Sequence, residues 1–208
     1  WTPPRFAPFV GDGNADVPFF TPDGKRMYLM SDMALPDNPE SRKERIWYVD
    51  RTGKDWSDPK PVDATVNDYP HHWHFSVDAH HTIYFSSSVP EGLGEGDIYR
   101  AKLVDGKWQK PENLGAPINS EQGEGMPNIA PDGSFMLFSR AYDLYISYRK
   151  ENGGWTEPIK LAQPINTPSI ELCPMLSPDG KYMFFLSQRG GESHIWWVDA
   201  GFIQKLKN

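Results

Sequence analysis

The chain has 208 residues, 38% hydrophobic and 13% aromatic, which fits one globular domain spanning 1–208 rather than a disordered segment. Its formal net charge is −7 with no visible basic stripe, so nucleic acid is not an expected partner. The single cysteine, Cys173, rules out an intrachain disulfide, and no apolar run is long enough to form a membrane-spanning helix.

Read from its beginning, the chain repeats itself. Trp1-Thr2-Pro3-Pro4 returns as the Trp-x-x-Pro spacing at Trp56 to Pro59, Trp108 to Pro111 and Trp155 to Pro158. Each Trp is followed at the same distance by a short polar residue: Asp12, Asn67, Asn119 and Asn166. A brief apolar piece comes next, then the turn Thr21-Pro22-Asp23-Gly24. That turn recurs as Ser76-Val77-Asp78-Ala79, Ala130-Pro131-Asp132-Gly133 and Ser177-Pro178-Asp179-Gly180. The turn sequence has a mechanism: proline fixes φ, aspartate bonds the backbone and glycine permits positive φ. Beyond each turn lies an apolar segment (Met27 to Met30, Ile83 to Phe85, Met136 to Phe138, Met183 to Leu186). A third follows (Ile46 to Val49, Ile98 to Ala101, Leu144 to Ser147, Ile195 to Val198). Aromatic and β-branched residues between Gly, Pro, Asn and Asp clusters predict strands. Proline in the Trp-x-x-Pro segment makes that strand an edge.

Four strands per unit with an edge-type fourth describe the blade of a β-propeller. The expected fold is all-β: a four-bladed propeller of four-stranded antiparallel blades. The last unit has no Trp-x-x-Pro strand of its own, so Trp1 to Pro4 is expected to close its blade. The rival arrangement is a five-bladed parent of which Trp1 is a remnant. No secretory leader is visible and the first residue is not Met, so the chain is expected to be processed, trimmed or a fragment.

The Ser-Pro-Asp-Gly turn, the strand starts Asp97-Ile98-Tyr99 and Asp143-Leu144-Tyr145, and the runs Trp108 to Asn119 and Trp155 to Asn166 resemble the WD-repeat-like, TolB-type propeller repeats of bacterial proteins. The resemblance covers the whole chain and is specific for fold. It implies a periplasmic or extracellular location, and a function among partner-binding envelope proteins or propeller domains beside peptidases. The oligogalacturonate lyases, propellers with histidines around a metal ion, are similar. The chain departs from the repeat pattern at Ser76 to Ala79 and in the histidine-rich stretch before it.

A propeller places its longer loops on one face over the central channel, and function gathers on such loops. The residues expected there are His71, His72, His74, Asn119, Glu121, Glu124, Arg140, Glu171, Gln188 and Arg189. Asp12, Asn67, Asn119 and Asn166 recur, and a recurring short polar residue usually satisfies a turn backbone. The recurrence of Glu124 and Glu171 likewise favours a scaffold role. The segment Pro70-His71-His72-Trp73-His74 breaks the repeat, and His72 and His74 point to one side of a strand, a pair that can ligate a divalent metal. No Gly-rich phosphate loop, nucleophile elbow or Cys/His metal spacing appears. The expected function is a non-catalytic binding propeller, acting as a monomer without a cofactor, that holds a protein, peptide or glycan. The alternative is a metal-assisted saccharide lyase or hydrolase built on His71, His72 and His74.

Overall fold

The computed structural model describes residues 3, 5–9, 13–70 and 74–207. The expected closing strand Trp1 to Pro4, and Asp12, His71 and His72, fall wholly or mostly outside the described residues.

The molecule is a four-bladed β-propeller. Blade 1 comprises β1 (Ala15–Phe20), β2 (Arg26–Ser31), β3 (Arg45–Thr52), β4 (Asp55–Trp56) and β5 (Lys60–Pro61); the short α1 (Ala64–Asn67) follows it. Blade 2 holds β6 (Phe75–Val77), β7 (Ile83–Ser87), β8 (Asp97–Ala101) and β11 (Glu112–Asn113), with the small hairpin of β9 (Leu103–Val104) and β10 (Lys107–Trp108) beside it. Blade 3 is β12 (Glu124–Ile129), β13 (Phe135–Arg140), β14 (Asp143–Tyr148) and β15 (Ile159–Lys160). Blade 4 is β16 (Glu171–Leu176), β17 (Tyr182–Ser187) and β18 (His194–Asp199), followed by α2 (Phe202–Lys207). All pairings within the blades are antiparallel.

The first hairpins show the turn chemistry read from the sequence. Gly24, Gly133 and Gly180 sit at φ 66°, 71° and 69°, a region that a Cβ disfavours. Asp23 and Asp179 each accept the backbone N–H two residues on, and the Asp179 carboxyl is held at about 2 by Ser177, the Lys181 N–H and the Lys181 ammonium. Blade 2 corrects the sequence alignment. Val77 pairs with Ile83 as Phe20 pairs with Met27, so Asp78 stands where Thr21 does, two places from the expected match. His81, at φ 62°, then takes the place of the turn glycine. Asp78 Oδ1 accepts the N–H groups of His80 and Thr82, which substitutes for the missing Pro-Asp-Gly chemistry.

The first strands share a second device that the sequence did not announce. Val17, Met126 and Cys173 all have positive φ (47°, 54° and 55°), and in each case the pairing register slips by a bulge at that point. A β-branched valine in this region is strained, so the surrounding pairing must hold it there. The bulges bend the innermost strands around the axis, and side chains tie neighbouring first strands together. Ile129 N–H donates to Ser76 Oγ at 3.0 Å, and Leu176 N–H donates to Asn128 Oδ1 at 3.2 Å.

Apolar clusters fill three blade-to-blade seams. Tyr28, Met30 and Ile46 of blade 1 meet Phe75, Ile83 and Phe85 of blade 2. Tyr84 and Ile98 of blade 2 meet Met136, Phe138 and Trp155 of blade 3. Leu137, Leu144 and Ile146 of blade 3 meet Met183 and Phe185 of blade 4. Trp155 is locked at its seam by the Arg149 guanidinium 4.0 Å above its ring, and Arg149 also donates to Tyr84 Oη. At the seam of blades 3 and 4 the corresponding apolar filling comes from Ala200 and Ile203 of the C-terminal tail, with Tyr148 Oη donating to Ile203 O at 2.6 Å.

The fourth seam differs. The face of blade 1 that looks toward blade 4 buries Leu29, Met33 and Trp47 beneath Phe9 and Leu35. The face of blade 4 that looks toward blade 1 leaves Phe184, Ile195 and Trp197 exposed. Near the axis on the turn face, Phe19 and Phe20 of blade 1 stand with Val77 of blade 2, Ile129 of blade 3, and Met175 and Leu176 of blade 4 around a cavity of about 250 Å³.

Candidate functional site on the loop face

The recurring polar residues are tied into the backbone. Asn67, Asn119 and Asn166 are buried, and each clamps the start of the third strand of its blade. Their Oδ1 atoms accept the N–H of Ile46, Ile98 and Leu144 at 2.9, 2.8 and 2.8 Å. Their Nδ2 groups donate back to the carbonyls of the same three residues. The carboxamide thus acts as a stand-in peptide group: it accepts the strand-start N–H and shares the carbonyl with the backbone N–H of Val62, Leu114 or Leu161.

Glu124 and Glu171 are also buried. Glu124 accepts Ser120 N–H and Arg140 Nε at 2.9 and 2.7 Å, while Arg140 donates onward to the carbonyls of Pro117 and Ile118. Glu171 accepts Thr167 N–H and Ser187 Oγ, and Arg189 donates to the carbonyls of Pro164 and Ile165. The two networks share a plan, each fixing an inter-blade loop to the strand beneath it, but Arg140 bonds its glutamate directly while Arg189 Nε donates to Ser187 Oγ, which donates to Glu171. Gln188 is half-buried and its backbone N–H donates to Ile170 O. His74 is half-buried just before β6 of blade 2. Among the described residues no group of three His, Cys, Asp or Glu converges as a metal site would. Burial raises the Cys173 thiol, whose Sγ lies 3.4 Å from Met126 Sδ.

The loop face holds a cavity of about 470 Å³ over blades 2 and 3; its lining includes the recurring Glu124 and Met126, and its rim is built from loops that break the repeat. Blade 3 joins its second and third strands through two residues, Ala141 and Tyr142, both at positive φ (47° and 69°), as a tight mirror-image hairpin turn requires. The other blades use longer connections there, 32–44, 88–96 and 188–193. The short hairpin leaves room, and the long 88–96 loop of blade 2 forms the opposite wall. That loop lies flat on the next inter-blade segment. A Cβ on Gly94 would sit 2.3 Å from Gln122 O and 2.6 Å from Ser120 O, so only glycine permits this approach. Glu95, Glu121 and Gln122 are exposed on the rim, Tyr142 is 63% exposed beside them, and Met126 and Leu172 line the cavity.

Of the residues expected from sequence, the cavity brings together Glu121 and Glu124. Asn119, Arg140, Glu171, Gln188, Arg189 and His74 lie outside its lining. Glu95 and Tyr142 were missed. The signal that could have found them is loop length, because blade 3 shortens the connection that the other blades extend.

No family model and no curated sequence matches the chain. Solved structures do match. A putative TolB from Agrobacterium tumefaciens is 20% identical with a TM-score of 0.57, over 90% of this chain and 58% of that one. TolB from Acinetobacter baumannii is 14% identical with a TM-score of 0.53, over 90% and 41%. An α-L-arabinofuranosidase from Lactobacillus brevis is 13% identical with a TM-score of 0.54, over 92% and 75%. This chain therefore spans a little over half the length of the Agrobacterium protein. Likeness at these identities defines the class, a propeller of the kind found in TolB and in several hydrolases, and no more than that.

Proposed function

We propose that the chain is a non-catalytic binding propeller that holds a protein, peptide or glycan ligand in the loop-face cavity over blades 2 and 3. One observation carries the reading. The polar residues that recur are engaged inside the scaffold, Glu124 in the cavity lining among them, while the cavity rim is built from repeat-breaking loops with exposed polar tips and one aromatic ring. An exposed tyrosine among carboxylates and an amide offers an apolar platform plus acceptors, as peptide and sugar recognition both require. The TolB likeness is consistent with a periplasmic or extracellular binding role.

Screening the purified protein against glycan and peptide arrays tests this. A hit should weaken at least about tenfold, roughly 1.4 kcal/mol, in Tyr142→Ala and in Glu121→Gln, with unchanged thermal midpoints. A hit indifferent to both substitutions overturns the placement. Stoichiometric metal lost in His74→Ala would favour the lyase reading instead.

A further inference from the structure

The cavity on the turn face stands at the opposite end of the axis from the loop-face site. Its volume is about 250 Å³, and the innermost strands of all four blades wall it. Phe19, Val77, Ile129 and Leu176 supply apolar sides, and Phe20 and Met175, both exposed, mark where it opens to solvent. Among the described residues no charged side chain lines it.

Two N–H donors meet these walls without an acceptor. Phe20, Val77, Ile129 and Leu176 end the innermost strands in equivalent register. The next residue in each blade (Thr21, Asp78, Ala130 or Ser177) donates its N–H back across the hairpin. Alternation along the strand therefore turns the N–H of the last strand residue away from the hairpin, toward the axis. Blades 3 and 4 satisfy that group with a side chain of the preceding blade: Ser76 Oγ accepts from Ile129, and Asn128 Oδ1 accepts from Leu176. In blade 2 the matching residue of the preceding blade is Phe19, whose side chain has no oxygen. Val77 N–H accordingly has no acceptor among the described residues. The second donor is Asn128 itself, which lines the cavity and is 6% exposed. The bond from Leu176 N–H to Oδ1 sets the orientation of its amide, and Nδ2 then donates to nothing among the described residues. Buried N–H groups without a partner are rare in folded proteins, more so than carbonyls with a spare lone pair.

The shape and chemistry of the space select a ligand. An apolar cavity of about 150 Å³ accommodates benzene, so this one takes a single ring with a short substituent. It is too small for a peptide segment or an oligosaccharide. A charged ligand would give up its hydration for walls with no countercharge. We propose that the turn-face end of the axis is a binding site for a small neutral molecule with an apolar body and a carbonyl-type oxygen. The oxygen accepts from Asn128 Nδ2, with Val77 N–H as the second donor, and the four strands enclose the apolar part. This site is separate from the loop-face cavity and does not rest on the function proposed for it.

Amide-detected NMR titration of the isotopically labelled protein tests this, with acetophenone, cyclohexanone and benzamide as probes. Saturable shifts of the Asn128 side-chain amide and of the Val77 amide are expected. Ethylbenzene keeps the shape of acetophenone without its oxygen and should bind at least about tenfold more weakly; benzoate should not bind. Met175→Trp, at an exposed position on the mouth, should abolish the shifts and leave the thermal midpoint unchanged. The proposal is overturned if none of the three carbonyl probes shifts Val77 or Asn128. Ethylbenzene binding as tightly as acetophenone overturns it too, as do shifts that survive Met175→Trp.

Discussion

Ile98 in blade 2 and Ile195 in blade 4 hold equivalent places at the start of the third strand of their blades. Ile98 is fully buried against Phe138 and its neighbours in blade 3, and its backbone is clamped by Asn119. Ile195 is exposed, with Trp197 beside it. The difference lies in what each blade has for a neighbour and not in the residues themselves. Burial of such a side chain is worth about 1.5–3 kcal/mol, which Ile98 contributes at its seam and Ile195, where it stands exposed, does not. The contrast also shows that a repeat pattern specifies a blade but does not specify its closure.

The largest effect that would break this comparison is expected from the polar network of the filled region. Glu124→Ala leaves Arg140 and Ser120 without their buried acceptor and should cost about 3–5 kcal/mol in urea unfolding. Ile98→Ala should cost about 2–5 kcal/mol by the same measurement, whereas Ile195→Ala should scarcely change the unfolding of a monomer held at high dilution. Equal losses would show that Ile195 is buried by something else in solution. Asn119→Ala removes the acceptor for Ile98 N–H, and a loss of about 1–3 kcal/mol is expected. Asn119→Asp keeps that acceptor but sets a buried carboxylate oxygen against Ile98 O and Asn113 Oδ1, so it should cost at least as much.

The smallest effect concerns the turn that corrected the alignment. Burial, and then the Arg26 charge, hold the His81 imidazole below its ordinary 6.5. The unfolded chain therefore takes up the proton first as pH falls. Stability from neutral His81 is present above about pH 6.5 and declines below it. Thermal melts between pH 7.5 and 5 should show that decline, and it should shrink in His81→Asn, which tolerates the same left-handed backbone.

The blades were legible because Trp-x-x-Pro and Pro-Asp-Gly each recur in one order, and the turn geometry follows from glycine and aspartate chemistry. What was not legible has physical causes. The bulges at Val17, Met126 and Cys173 are set by strand curvature around the axis, which no single repeat encodes. The blade 2 turn misled because Asp78 caps it from a different position. The exposure of Phe184 and Trp197 depends on a neighbour that the local sequence cannot describe. At the candidate site, Glu121 was found because it interrupts the repeat. Tyr142 was hidden because it sits in a segment that otherwise looks like its siblings, and only the missing loop beside it sets it apart.

The asparagine clamp has a consequence for how the molecule comes into being. Each clamp joins residues only 21 or 22 positions apart, from Ile46 to Asn67, Ile98 to Asn119 and Leu144 to Asn166. Such short-range closures carry a small chain-entropy cost and can form before any seam exists. A nascent chain leaving the ribosome would therefore tie off one self-contained loop after another, and the strand starts at Ile46, Ile98 and Leu144 would be the earliest to lose exchange with water. Of the third strands in these four blades β18 emerges last, and among the described residues it has no clamp to close behind it.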